Sequence, residues 1–256
     1  MDIVKHNREA WNAQVDKGNS WTQPVSPEEV ARARQGMYQI VLTPTKPIPT
    51  DWLGEVAGKE VLCLASGGGQ QGPILAALGA DVTVFDNSPR QLEQDLLVAE
   101  RDKLTLILEQ GDMRDLSRFK DESFDLIVHP VSNCFIPEIG SVWTECYRIL
   151  RQGGALLAGV CNPLLFLFDV QEWDNGKLEV KYSIPYSDPE QLPQEQLAAK
   201  LAAGEPMEFG HSLESQIGGQ IAAGFVIAGF YEDKAGGDLL DPYISTYMAT
   251  RAVKLR

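Results

Sequence analysis

GKEVLCLASGGGQQGPILAALGADVTVFDNSPRQLEQ, residues Gly58 to Gln94, is the stretch whose reading decides the fold. Val61, Leu62, Cys63 and Leu64 form an apolar run with no polar face, the pattern of a strand buried on both sides of a parallel sheet. Gly67, Gly68 and Gly69 follow, with Gly72 close behind. Glycine permits positive φ and carries no Cβ to block a close-lying ligand. Gln70 to Leu78 is predicted as a helix with Pro73 in its first turn, where a missing N–H costs little. Gly79-Ala80 ends it, and Asp81 to Phe85 is a second strand whose tip is Asp86, 19 residues after Gly67. Strand, glycine turn, helix, strand and terminal acid describe a nucleoside-binding βαβ unit.

The glycines alone do not choose the ligand, because Gly67-x-Gly69-x-x-Gly72 also satisfies the dinucleotide fingerprint. A tight turn that binds nothing is the competing reading. Asp86 argues against it, since a carboxylate at a strand tip can accept two hydrogen bonds from a ribose 2′,3′-diol and repels a 2′-phosphate.

The rest of the chain narrows the choice. Gln110-Gly-Asp-Met113 follows a third expected strand, Leu104 to Leu108, so Asp112 can accept from an adenine amino group while Met113 lies against the ring. Phe124 to Val128 is a fourth strand, and Gly153 to Val160 a fifth, after a helix over Ser141 to Leu150. Five pieces (VLCLASGGG, VTVFDNS, EQGDM, FDLIVHP and YRILRQGGALLAG) together resemble the class I S-adenosylmethionine-dependent methyltransferases. The resemblance covers residues 55–162 well and the C-terminal hairpin more loosely. It implies S-adenosyl-L-methionine as cofactor, held by Ala65, Ser66, Gly67 and Gly69 in the turn, Asp86 and Asn87 beyond the second strand, and Asp112 and Met113 beyond the third. The chain departs from the family at Cys63, where an acid is usual, and at Ala65, where glycine is usual. No contact is carried over to position 63, and Ala65 keeps the backbone nearly as accessible.

Composition bounds the function from outside. A chain of 256 residues holds one large domain, or a domain with a cap, and buries a substantial core. Lys plus Arg number 22 against 36 Asp plus Glu, a formal charge of −14. That acidity opposes binding to nucleic acid or an anionic membrane, whose non-specific affinity rests on basic side chains. Cys63, Cys134, Cys146 and Cys161 form no Cys-x-x-Cys pair and read as reduced, buried thiols of a cytoplasmic protein. No signal peptide is expected in MDIVKHNREAW, and the most apolar stretch, Gly153 to Phe168, is too short to span a bilayer. No metal-ligand spacing and no Gly-x-Ser-x-Gly elbow occur.

The expected architecture is α/β: a seven-stranded, mostly parallel, doubly wound sheet with an antiparallel last strand. Residues 1–50 form an N-terminal helical cap, with one helix over Val4 to Lys17 and another opened by the capping box Ser26-Pro-Glu-Glu29. Residues 51–256 form the methyltransferase domain, with an insertion at about 162–211 before the last helix. That insertion is expected as a β-hairpin, Leu164 to Val170 and Leu178 to Ser183 around Asp174-Asn-Gly-Lys177, followed by a helix over Gln194 to Ala203. A helix from Ser88 to about Arg101 carries Leu92, Leu96 and Leu97 as its core face. Ser212 to Ala223 is the last helix, and Tyr243 to Val253 the last, antiparallel strand.

The cofactor brings an activated methyl, so the chain mainly has to align an acceptor and exclude water. His129, just past the fourth strand, is the candidate base; a structural loop histidine reads equally well. Asn133 and His211 are candidate acceptor contacts. His129-Pro-Val-Ser132 lacks the Asn-Pro-Pro-aromatic pattern of enzymes that methylate amino groups of bases, which with the charge points to a small-molecule acceptor. The cap and the insertion are expected to form a lid over it, in a monomer or homodimer. A nicotinamide-dependent oxidoreductase and a non-catalytic S-adenosylmethionine-binding module stand as alternatives.

Overall fold

A computed structural model describes residues 1–255. The chain begins with α1 (Ile3–Asp16), α2 (Pro27–Ala33) and the short α3 (Thr50–Leu53), then alternates β1 (Glu60–Leu64), α4 (Gln71–Ala77), β2 (Asp81–Asp86), α5 (Pro89–Asp102), β3 (Leu106–Gln110), β4 (Phe124–His129), α6 (Gly140–Ile149) and β5 (Leu150–Cys161). Short elements follow: α7 (Val170–Asp174), β6 (Tyr186–Ser187), α8 (Asp188–Gln191), α9 (Gln194–Ala203) and β7 (Phe209–Gly210). A π-helical turn (Glu214–Gly218) leads into α10 (Gly219–Ala222), β8 (Val226–Asp233) and β9 (Tyr247–Val253).

Seven strands form one sheet in the order β3-β2-β1-β4-β5-β9-β8, and β6 pairs with β7 apart from it. β9, the last strand, runs antiparallel to both its neighbours, β5 and β8, as expected. Alternate side chains of each strand feed two cores. Val61, Cys63, Val82, Val84, Leu126, Val128 and Leu157 pack with Ile74 and Leu75 of α4 on one face. Leu62, Leu64, Phe85, Ile127 and Leu156 pack with Val142, Trp143, Cys146 and Ile149 of α6 on the other. Strand order reverses between β1 and β4, the position where open α/β sheets bind ligands beyond their carboxyl ends.

Residues 40–48 lie across that edge. A Cβ on Gly159 of β5 would sit 2.1 Å from the Leu42 carbonyl oxygen, so glycine there lets the segment close down on the sheet. The same carbonyl accepts from Val131 N–H at 3.0 Å.

Several expected elements are corrected. β3 starts at Leu106 rather than Leu104, because Lys103 takes a left-handed φ of 55° and Leu104 N–H still bonds to Ala99 O at the helix end. Leu92 is buried, but Leu96 and Leu97 are 45% and 48% exposed. The inward face of α5 is Leu92, Asp95, Val98 and Ala99, which puts a carboxyl group in the interior.

The expected hairpin of residues 164–183 is not two strands. Asn162 Oδ1 caps Leu164 N–H and Pro163 opens a 3-10 helix through Leu167, while Asp169 Oδ1 caps Gln171 N–H and opens α7. Local caps outcompete the β pattern of an apolar run. Of the hairpin there remain the turn at Gly176 (φ 79°) and a single bridge between Phe168 and Val180. The helix at Gln194–Ala203 forms as expected.

Candidate active site

Loops at the carboxyl ends of the central strands converge on one cavity of about 300 Å³. Ala65 to Gly67 arrive from β1, Phe85 to Asn87 from β2, Gly111 to Met113 from β3, and Pro130 to Ser132 with Cys134 to Ile136 from β4. Cys161 ends β5, and Tyr247 begins the antiparallel β9 at the same edge.

Seven of the eight expected cofactor residues line this cavity: Ala65, Ser66, Gly67, Asp86, Asn87, Asp112 and Met113. Ala65 sits at φ 46°, a strained conformation for a residue with a Cβ; its N–H bonds to Phe85 O at 2.7 Å, tying the turn to the tip of β2. Asp86 accepts from Gly67 N–H at 2.9 Å through one oxygen and from Ser88 N–H at 2.8 Å through the other. Burial raises its pKa above the usual carboxylate range, and the backbone N–H groups of Ser88, Gly67 and Asn87 oppose that rise. Each oxygen keeps a lone pair for a further donor. Asp112 is clasped by Arg114, with contacts of 2.6 to 3.1 Å, so much of its accepting capacity is used within the chain. Met113, 9% exposed, lends an apolar wall.

Gly69 is the exception. It lies behind the cavity, where a Cβ would meet Pro24 Cβ at 2.7 Å and Gln94 O at 2.9 Å, and its φ is 73°. Its role is to let the chain after α1 pack against the turn: Val25 N–H bonds to Gly69 O at 2.9 Å.

His129, Asn133 and His211 do not line the cavity. His129 is fully buried inside the second core. Its Nδ1 lies 2.8 Å from Leu64 O, its Nε2 lies 2.7 Å from Asn133 Oδ1, and the ring meets Trp143 edge-on. Burial lowers its pKa, so the ring is a neutral strut between β1, β4 and the following turn. Asn133 continues the chain of bonds to Gln216 at 3.3 Å. His211 Nε2 donates to the carbonyls of Asn133 and Ile136 at 3.1 and 2.9 Å. These three polar side chains are held by main-chain carbonyls and by one another, and none is among the residues lining the cavity.

Sequence reading missed other residues of the site. Gln91 lines the cavity, and its buried Oε1 has no partner, an unmet acceptor at the cofactor end. Asp95, one helical turn on, is fully buried beneath the glycine turn; Oδ2 accepts from Gly68 N–H at 3.0 Å and Oδ1 has no partner. Burial lifts its pKa to about 8 against the opposing Gly69 and Gly68 N–H groups. The available signal was the i, i+3, i+7 spacing of Leu92, Asp95 and Ala99, which places a carboxyl on an apolar helix face.

The remaining wall comes from outside the central framework. Val4, Asn7 and Trp11 of α1 and Trp21 line the cavity, as do Val41 to Pro44, Leu165, Phe166 and Glu208. Asn7 joins two of these segments: its amide nitrogen donates to Phe135 O (2.7 Å) and Met207 O (2.9 Å), and its oxygen accepts from Met207 N–H (2.8 Å). Trp11 meets Phe135 edge-on at 5.0 Å. Among the described residues, no group of three or more His, Cys, Asp or Glu could hold a metal ion, and no helix is long and apolar enough to cross a membrane.

The methyltransferase domain family matches residues 62–158. The chain is 54% identical over 253 residues to the uncharacterized methyltransferase YbaJ of Bacillus subtilis (strain 168), a match covering 99% of each chain. Its fold is similar to that of an S-adenosylmethionine-dependent methyltransferase from Mesorhizobium loti (TM-score 0.61, 16% identity, 79% of this chain and 94% of that one). It is also similar to the Burkholderia thailandensis 1,6-didemethyltoxoflavin-N1-methyltransferase solved with 1,6-didemethyltoxoflavin and S-adenosylhomocysteine (TM-score 0.59, 14% identity, 99% and 89%).

Proposed function

Because the chain belongs to the class I S-adenosylmethionine-dependent methyltransferases, we propose that it binds S-adenosylmethionine in the cavity at the strand tips and methylates a small molecule held beside it. The observation that carries this reading is the meeting of seven expected cofactor residues, from three successive strand tips, in one cavity. The donor set fits the cofactor. Asp86 offers lone pairs to a ribose diol, Gln91 Oε1 is a buried acceptor without a partner, and Met113 supplies an apolar wall.

When bound, the cofactor supplies an activated methyl for in-line displacement. The chain's share of the work is positional. The glycine turn and Asp86 fix the nucleoside, and residues 130–136 form the floor beneath the transfer path. Residues 1–50 and the insertion act as a lid, with Trp11, Trp21, Leu165 and Phe166 excluding water. His129, whose ring nitrogens lie against Leu64 O and Asn133 Oδ1, serves on this reading as a strut rather than a base. The formal charge of −14 favours a small-molecule acceptor over nucleic acid.

The test is calorimetry with S-adenosylmethionine, S-adenosylhomocysteine and NAD, followed by transfer of labelled methyl to an acceptor panel. Saturable binding of the first two, none of NAD, and transfer to at least one acceptor are expected. Preference for NAD would overturn the reading, and cofactor binding without transfer to any acceptor would turn it toward a binding module.

A further inference from the structure

The acceptor end of the cavity has an uneven chemistry. Among the described residues that line the cavity there are three carboxylates, Asp86, Asp112 and Glu208, and no lysine, arginine or histidine. Asp86 belongs to the nucleoside end, and Asp112 is neutralised by Arg114 at 2.6 Å. Glu208 is different. Its partner Lys200 stands at 2.8 Å but also pairs with Asp188 at 2.7 Å, so two carboxylates share one ammonium and a negative charge is left over. Asp188 is almost fully buried and Lys200 does not reach the cavity. The surplus charge is therefore expressed at Glu208.

The surroundings of Glu208 sharpen this. Cys134, Cys161 and Tyr247 line the same end. The Cys161 thiol and burial hold Cys134 well above the ordinary thiol range, and burial, the two thiols, Asp238 and Glu208 do the same for the Tyr247 phenol. Two thiols, a phenol and one carboxylate thus line this end, with the rings of Trp11, Phe135 and Phe166 nearby. An anion entering here would meet like charge with no compensating donor cation, whereas a cation would meet a carboxylate and aromatic faces.

We propose that the methyl acceptor carries a cationic nitrogen and that Glu208 selects it. The inference rests on the reading that the cavity takes S-adenosylmethionine together with a small acceptor, and adds the acceptor's chemical class. The nitrogen held by Glu208 is not the methylated atom, because a protonated nitrogen has no lone pair to attack the methyl. The acceptor atom lies elsewhere on the same molecule, toward the cofactor.

Three probes of matched size test this on protein saturated with S-adenosylhomocysteine: 2-phenylethylamine, 2-phenylethanol and 3-phenylpropionate. Binding is read from the fluorescence of Trp11 and Trp21, which line the cavity. The amine is expected to bind at least about tenfold tighter than the carboxylate, with the alcohol between them. In Glu208→Gln, which keeps the side-chain shape, the amine should fall to the level of the alcohol while S-adenosylhomocysteine affinity stays unchanged. Equal or tighter binding of the alcohol or carboxylate, failure of the amine to bind, or an amine preference that survives Glu208→Gln would overturn the proposal. Failure of the wild-type protein to bind S-adenosylhomocysteine would instead overturn the functional reading beneath it.

Discussion

The cofactor end of the cavity stands on strand tips, and the acceptor end stands on short pieces held by side chains. β1, β2 and β3 are paired in continuous parallel register, from Glu60 with Asp81 through to Asp86 with Gln110. Ala65, Asp86 and Gly111 therefore sit at the ends of a ladder that fixes their spacing. Leu165 and Phe166, by contrast, lie on a 3-10 turn, and Glu208 precedes a strand of two residues. Asn7 ties Met207 beside Glu208 to α1 through two hydrogen bonds, and Phe135 after β4 through a third. A ladder shares strain among many bonds, whereas a side-chain clasp concentrates it in one. The difference separates two tasks: the cofactor is common to many enzymes and needs a fixed frame, while the acceptor surface can change by replacing a few side chains.

The largest expected effect lies under the frame. Unfolded Asp95 titrates near 3.9 and the folded group near 8. Between those values the folded state holds a proton that the unfolded state has lost. Its contribution is thus fully present below about pH 4, falls as pH rises toward 8, and stays low above it. The loss across that window is on the order of 5 kcal/mol for so buried a group. Asp95→Asn should remove that slope, and urea unfolding from pH 5 to 9 measures it; parallel curves for the two proteins would show that Asp95 is not protonated in the fold.

Asn7→Ala attacks the clasp. It strips one N–H and two carbonyls of their partner, at an expected cost of about 3 kcal/mol. Hydrogen exchange at Met207 should accelerate while the β1 and β2 amides stay protected. Uniform acceleration through the sheet would mean that frame and clasp unfold together. Asp86→Ala comes next, weakening S-adenosylmethionine by about 1.5–3 kcal/mol in calorimetry, the scale of lost bonds to a charged group. Unchanged affinity would remove Asp86 from the cofactor site. Asp112→Ala should cost less than about 1 kcal/mol, because Arg114 already occupies both its oxygens. A loss equal to that of Asp86 would place the adenine contact on Asp112 after all.

The frame was legible because its signals are local. An apolar run, a glycine turn and an acid at a strand tip place Ala65, Asp86 and Met113 within one motif each. The same local reasoning failed where partners are remote. His129 reads from sequence as a candidate base or a loop histidine, and nothing nearby in the chain indicates that the Leu64 carbonyl, 65 residues earlier, would meet its Nδ1. Leu164 to Val170 looked like a strand until the caps at Asn162 and Asp169 decided otherwise. On α5, the helix phase was misjudged by one residue, and that alone hid Asp95. Glu208 became visible as a site residue only through what it shares with Lys200 and Asp188.

The bond between Asn7 and Met207 spans 200 residues of chain, which gives it a place in time as well as in space. During translation at ordinary speed, the first helix emerges roughly 10–40 s before its partner is made. The strands that carry Ala65, Asp86 and Met113 are by then already synthesised, and the final strand β9 comes later still. The nucleoside frame can therefore begin to assemble on the ribosome while the mouth of the cavity is still open. Closure over the acceptor end thus follows the laying down of the nucleoside frame, and a chain cut short before residue 207 has no partner for Asn7 to clasp.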